Sequence, residues 1–126
     1  ADFSGVRVLL IENEPGVIEA MEHLLSSWNC DTHIASDQEE ALATLSNTQW
    51  RPDIVLADEH LNKGNLGSDT LPLVWEKLGG KVPAIIVTAD PTDALEAKAE
   101  DLDVELMNKP VKPASLRALM SYLLDH

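Results

Sequence analysis

Apolar and polar positions alternate along the chain in two rhythms. "VRVLLI" (6–11), "DIVLAD" (53–58) and "AIIVTAD" (84–90) are short aliphatic or β-branched runs without helical gaps, as strands covered on both faces require. "CDTHIA" (30–35) alternates more, like a strand near a sheet edge, and "DVELMNKP" (103–110) supplies a short fifth strand. Between these runs the period lengthens. After Pro15, a favourable first-turn residue, Val17, Met21, Leu24, Leu25 and Trp28 recur at helical spacing in "GVIEAMEHLLSSW". Ser36-x-x-Glu39 is a capping box opening "DQEEALATL" as a second helix. "EHLNKGNLGSD", rich in Gly and Asn, predicts a loop ahead of a third helix, "TLPLVWEKL". The Ala-rich "TDALEAKAEDL" and the amphipathic "PASLRALMSYLL" complete the set.

Strand and helix therefore alternate five times with short connections. Such alternation calls for a parallel sheet with helices on both faces and right-handed crossovers, a doubly wound α/β fold. At 126 residues the chain fits one domain with one site, expected over 6–126, with "ADFSG" (1–5) as a linker remnant. Nine Lys and Arg against 22 Asp and Glu give a net charge of −13, which repels a phosphate backbone and argues against direct nucleic-acid binding. The single cysteine, Cys30, fits a small buried hydrophobe in a reducing, cytoplasmic setting. Neither a leader nor a membrane-length apolar run is visible, so no membrane contact by this domain is expected.

Ligands of open parallel sheets bind beyond the carboxyl ends of the strands, so the residues ending each strand carry the chemistry. Strand one ends at Glu12 and Asn13, strand three at Asp58, strand four at Thr88 and strand five just before Lys109. Two carboxylates brought together repel unless a cation lies between them, and a hard ion such as Mg2+ takes oxygen ligands. Lys109 would neutralise the same cluster or hold an incoming phosphate oxygen, and Thr88 offers a hydroxyl. Taken singly, Asp58 could be only a cap for the next helix, and Thr at a strand end is unremarkable.

The joint pattern of "VRVLLIENEP", "PDIVLADEHL", "PAIIVTAD" and "LMNKPVKPASL" resembles the receiver domain of two-component response regulators across nearly the whole chain. The resemblance implies a flavodoxin-like (βα)5 sandwich with strand order 2-1-3-4-5. It further implies that Asp58 accepts a phosphoryl group from a histidine kinase or histidine phosphotransfer domain. Glu12, Asn13, Asp58 and the His60 backbone carbonyl would hold Mg2+, and Thr88 and Lys109 would contact the phosphoryl oxygens. "SWNCDTHIASDQEEAL", "LADEHLNKGNLGSDTL" and "KPVKPASLRALM" look like the C-terminal receiver of hybrid sensor histidine kinases, which makes an excised receiver the expected context. A weak homodimer is compatible with the pattern.

Four positions depart from the family. The usual pair of aspartates is here Glu12 and Asn13, which lowers expected metal affinity; Asn62 replaces a common proline; and Leu106 replaces a common switching aromatic. Glu14 is expected to face the first turn of the first helix, and Gly64 and Gly67 to make the loop after Asp58 flexible. His60 and Asp90 either flank the phosphoryl group and tune its lifetime or are plain exposed loop residues. Asn13 and Leu106 motivate an alternative, a pseudo-receiver acting as a phosphorylation-independent interaction module. A hydrolase with a strand-one nucleophile would want aspartate where Glu12-Asn13 stands, and a flavin carrier would want a glycine-rich phosphate loop there.

Overall fold

The computed structural model describes residues 2–125; Ala1 and His126, the outermost positions of the expected linker and domain, lie outside them. Five strands, β1 (Arg7–Ile11), β2 (Asp31–Ala35), β3 (Ile54–Asp58), β4 (Ala84–Thr88) and β5 (Glu105–Asn108), alternate with five helices. These are α1 (Pro15–Ser27), α2 (Gln38–Thr44), α3 (Gly67–Leu78), α4 (Asp93–Leu102) and α5 (Pro113–Leu124). All the strand pairs are parallel and the order is β2-β1-β3-β4-β5, as the resemblance implied. Among the described residues, no helix is long and apolar enough to cross a membrane.

The period-2 alternation of the central strands sorts their side chains into two cores. Val8, Leu10, Ile54, Leu56 and Ile85 pack against Met21 and Leu25 of α1 and Leu116 and Met120 of α5. Leu9, Ile11, Val55, Ala57 and Ile86 face the other way, onto Ala41 of α2, Leu71 and Val74 of α3 and Ala99 of α4. Each such fully buried aliphatic side chain contributes about 2 kcal/mol. β2, at the sheet edge, is correspondingly less buried than β1, β3 and β4.

Local details differ from the expected ones. The stretch expected to be a linker remnant contributes Phe3, buried in the α1/α5 layer and edge-on to Trp28, with the Arg117 guanidinium over both rings. Cys30 is half-buried in the same layer, and burial raises its thiol pKa against the pull of Arg117, so it is a packing residue and not a nucleophile. The cap of α2 lies one residue beyond the expected capping box. Asp37 accepts the Glu40 N–H at 2.9 Å, while Glu40 reaches back to the Ser36 N–H at 2.9 Å. Asp37 is the better cap because it is buried beside Lys63, 3.3 Å away; the bond to the Glu40 N–H, then Lys63, holds its carboxyl below the usual range against the effect of burial.

The largest departure follows Asp58. α3 begins at Gly67, three residues before the expected start, and a short 3-10 turn (Asn62–Gly64) lies within the loop. Gly67 is required for close approach, not flexibility: a Cβ there would stand 2.3 Å from the Asp58 carbonyl oxygen. The loop is tied to α2 and its leading turn. Asn62 N–H donates to the Ser36 carbonyl at 3.4 Å, Asn65 accepts the Gln38 N–H at 3.1 Å, and Lys63 pairs with Glu39 at 3.1 Å.

Candidate functional site

Register places the site. β1 and β3 run side by side with Ile11 opposite Ala57, so the next residues, Glu12 and Asp58, emerge together at the carboxyl edge of the sheet. Asp58 in turn sits opposite Val87, and Thr88 opposite Asn108, which brings Lys109 to the same edge from β5. The Lys109–Pro110 peptide is cis, and the Lys109 N–H donates to the Thr88 carbonyl at 2.8 Å.

The side chains converge on one ammonium. Lys109 Nζ lies 3.2 Å from Glu12 Oε1, 3.3 Å from Asp58 Oδ1 and 3.4 Å from Glu14 Oε1. Glu12 and Asp58 are only 3% and 5% exposed, so their charges interact with Lys109 largely out of water, while Glu14 lies at the exposed rim. The other Glu12 oxygen, Oε2, accepts the backbone N–H groups of Asn13 at 2.9 Å and Glu14 at 3.2 Å. Burial is the main cause that pushes the Glu12 carboxyl above its ordinary range; the Glu14 N–H opposes it, Asp58 adds to it, and Lys109 opposes it. For Lys109, burial is the largest single effect and disfavours the ammonium, but the combined pull of Asp58 and Glu12 carries the pKa above the usual lysine value.

One oxygen from each of Glu12, Glu14 and Asp58 lies within 4.8 Å of the others. Glu14 was expected to serve only the first turn of α1. It holds the N-cap position of that helix without a side-chain capping bond, and its carboxylate turns to Lys109 instead. A third acid two positions beyond the strand end was the available signal. Asn13 completes the corner: its amide lies 3.1 Å from Asn62, and with the nitrogen facing the acceptors it donates to Glu12 Oε2 at 3.2 Å and to the His60 carbonyl at 3.1 Å. Thr88 is fully buried, with its hydroxyl accepting the Asp90 N–H at 3.1 Å. His60 and Asp90 are exposed, and Leu106 packs half-buried against the α2/α3/α4 core.

The donor set is oxygen only: three carboxylates, a nearby carbonyl and an amide, with one ammonium offsetting the charge. That chemistry fits a hard divalent cation, which takes oxygen ligands and keeps several waters. It does not resemble a soft-metal site, since among the described residues neither Cys nor the imidazole of a His joins the cluster.

Beside the cluster an apolar groove of about 860 Å3 runs between α1 and the turn after β5. Gly16, Val17, Ala20 and Leu24 form one wall, Pro110 and Val111 the other, and Lys109 lines both the groove and the acidic site.

Comparison with known proteins agrees with this geometry. The chain is 30% identical over 118 residues to the phyllosphere-induced regulator PhyR of Methylorubrum extorquens, covering 93% of this chain and 43% of that protein. It spans less than half the length of the curated relatives it matches. The receiver domain of PhyR from Erythrobacter litoralis superposes with a TM-score of 0.81 at 27% identity, covering 99% of this chain and 94% of that one. The receiver domain of sensor histidine kinase PA1611 from Pseudomonas aeruginosa, solved with a magnesium ion in its active-site cleft, superposes at 0.79 with 20% identity, covering 98% and 100%. Receiver domains take phosphoryl groups from histidine kinases or phosphotransfer proteins and bind Mg2+ in the active site. The profile of the response regulator receiver domain matches residues 8–121, and the chain belongs to that family, the receivers of two-component signal transduction.

Proposed function

We propose that Asp58 receives a phosphoryl group from a phosphohistidine donor, in a reaction that requires Mg2+. The observation that carries this reading is the convergence of Lys109 on the buried Asp58 and Glu12 and the exposed Glu14 at 3.2 to 3.4 Å. An Asp58 oxygen attacks phosphorus in line, the P–N bond breaks, and its electron pair returns to the donor imidazole, leaving an aspartyl phosphate. Such a transfer is mostly a matter of placement and charge, because little covalent work falls to the protein. Lys109, held as an ammonium, offsets the charge of the incoming phosphoryl oxygens, and its raised pKa keeps it protonated throughout the neutral range.

Glu12, Asp58, Asn13 and the His60 carbonyl would hold the cation, with Glu14 in reach of the same corner. The cation supplies charge neutralisation between Asp58 and the phosphoryl oxygens. Thr88, at the level of Asn108, accepts the Asp90 N–H and in this reading donates its own O–H to a phosphoryl oxygen. His60 and Asp90, two positions after Asp58 and Thr88, are exposed and in this reading tune the lifetime of the aspartyl phosphate.

The donor is a histidine-bearing domain, seated in the apolar groove beside α1. The groove suits that occupant because Lys109 lies in its wall and also pairs with Asp58, so an occupant lies next to the acidic site. Ala20 is an exposed position of that wall. Ala20→Glu should slow transfer from a phosphohistidine domain at least tenfold and leave phosphorylation by a small acyl phosphate unchanged; equal rates with the protein donor would place docking elsewhere. The wider context, a hybrid sensor histidine kinase in the cytoplasm, rests on the sequence resemblance and is tested by the domains the parent gene encodes.

Incubation with Mg2+ and a small phosphodonor, followed by mass mapping of the adduct, tests the central step. One phosphoryl group on Asp58, absent in Asp58→Asn and abolished by EDTA, is the expected result. A folded protein left unmodified at Asp58 would favour the pseudo-receiver, for which no particular observation in the structure speaks.

A further inference from the structure

The reading of Asp58 as phospho-acceptor and of the His60 carbonyl as cation ligand leaves the residue between them without a role. Glu59 is 6% exposed and carries its carboxylate inward. Both oxygens are held by one residue: Oε1 accepts the Ser68 N–H and Oε2 the Ser68 hydroxyl, each at 2.8 Å. The main chain repeats the tie, since the Gly67 N–H donates to the Glu59 carbonyl at 2.9 Å.

Ser68 lies in the first turn of α3, where backbone N–H groups lack helical partners and a negative charge is favourable. Capping accounts for part of the arrangement. An ordinary cap is an exposed polar residue at the helix start, and it avoids the cost of taking a carboxylate out of water. Here the cap comes from the strand, one position past the acceptor. Its added effect is to close a loop at its neck.

Residues 60–66 leave β3 and return at that same neck, where His60 and Leu66 form an antiparallel bridge. The Leu61 N–H donates to the Asn65 carbonyl at 3.0 Å just above it. The His60 carbonyl emerges from this neck, 3.1 Å from the Asn13 amide. Its position relative to Glu12 and Asn13 is therefore set by where Glu59 and Ser68 pin the loop.

We propose that Glu59 and Ser68 are positioning residues for the cation corner: their buried carboxylate–serine clamp fixes the His60 carbonyl and so sets Mg2+ affinity. The inference rests on the reading of the Asp58 site given above. Outer groups that orient a ligand typically govern about tenfold or more of metal affinity.

Ser68→Ala removes one of the two clamp bonds with the least disturbance, and Ser68→Thr keeps the hydroxyl. In a Mg2+ titration of the full chain followed by NMR, Ser68→Ala should need about tenfold more Mg2+ for half-saturation, with Ser68→Thr close to wild type. Glu59→Leu, which removes both acceptors, should fall on the side of Ser68→Ala. An unchanged half-saturation in Ser68→Ala, with only a lowered thermal midpoint, would reduce Glu59 to a cap and overturn the proposal. If the wild type gives no Mg2+ response, the reading of the site fails separately, and the clamp is judged on the Mg2+-free spectra. There the Asn13 side-chain amide resonances should move in Ser68→Ala because the His60 carbonyl has moved; unmoved resonances would again overturn it.

Discussion

Replacing Lys109 by alanine is expected to slow phosphorylation of Asp58 by about two orders of magnitude and to destabilise the fold at neutral pH by about 3 kcal/mol. The kinetic loss follows from removing the ammonium that lies 3.3 Å from the acceptor. The stability loss is less usual for a lysine. Glu12 and Asp58 are buried, and Lys109 is the cation that faces them, so its removal leaves two desolvated carboxylates against each other.

The pH dependence has a definite sign. The Glu12 carboxyl already titrates above its ordinary 4.5, through burial first and the Asp58 charge as well, while Lys109 holds it down. Without Lys109 it rises further. A carboxyl that binds its proton more tightly in the folded state costs stability as pH rises through the window between its unfolded and folded pKa values. The deficit of Lys109→Ala should therefore be larger at pH 7.5 than at pH 5 and shrink as pH falls toward 4.5. Lys109 itself acts in the opposite range: its raised pKa contributes stability that is present below 10.5 and is lost as pH rises through the folded value. Urea unfolding at pH 5 and pH 7.5 measures the difference. Lys109→Met, which keeps the aliphatic stem, should behave like the alanine variant; a deficit equal at both pH values would assign the loss to packing.

The parts of this centre that could be read in the sequence are those fixed by strand ends. Glu12, Asp58 and Thr88 each close an apolar run, and in a parallel sheet that alone sends them to one edge. Lys109 followed in the same way from β5. The parts that could not be read depend on chain returning from elsewhere. Glu14 looked like a helix-start acid because its distance from Lys109 is set by the turn after β5. Glu59 and Ser68 were hidden in a Gly- and Asn-rich stretch whose local chemistry says loop, whereas a carboxylate just past the preceding strand starts the helix early. Phe3 had no periodic partners, and its burial comes from Trp28 and the α5 layer. Gly67 pointed to flexibility by composition and serves close packing by geometry.

The same contrast between charge and geometry governs Asn13→Asp, for which two opposed effects are expected. Without cation the variant should be less stable than wild type by about 2 kcal/mol, because the Asn13 amide can donate to Glu12 Oε2 and the His60 carbonyl, and a carboxylate can only repel those acceptors. With Mg2+ the order reverses: a further anionic oxygen at the corner should tighten binding by about tenfold, since affinity for hard cations follows the charge of the ligand set. In the wild-type chain the amide NH2 partly stands where a cation would, joining two acceptors that otherwise repel. Asn13 thus exchanges metal affinity for a site that is assembled before the metal arrives. Ligand binding to the folded state alone raises its stability with the logarithm of one plus the ratio of free ligand to Kd, so thermal midpoints followed across a Mg2+ series should cross, wild type higher in EDTA and Asn13→Asp higher at millimolar Mg2+. Parallel curves that never cross would mean that Asn13 does not face the cation, and that Glu12, Glu14 and Asp58 hold it without the second residue of the pair.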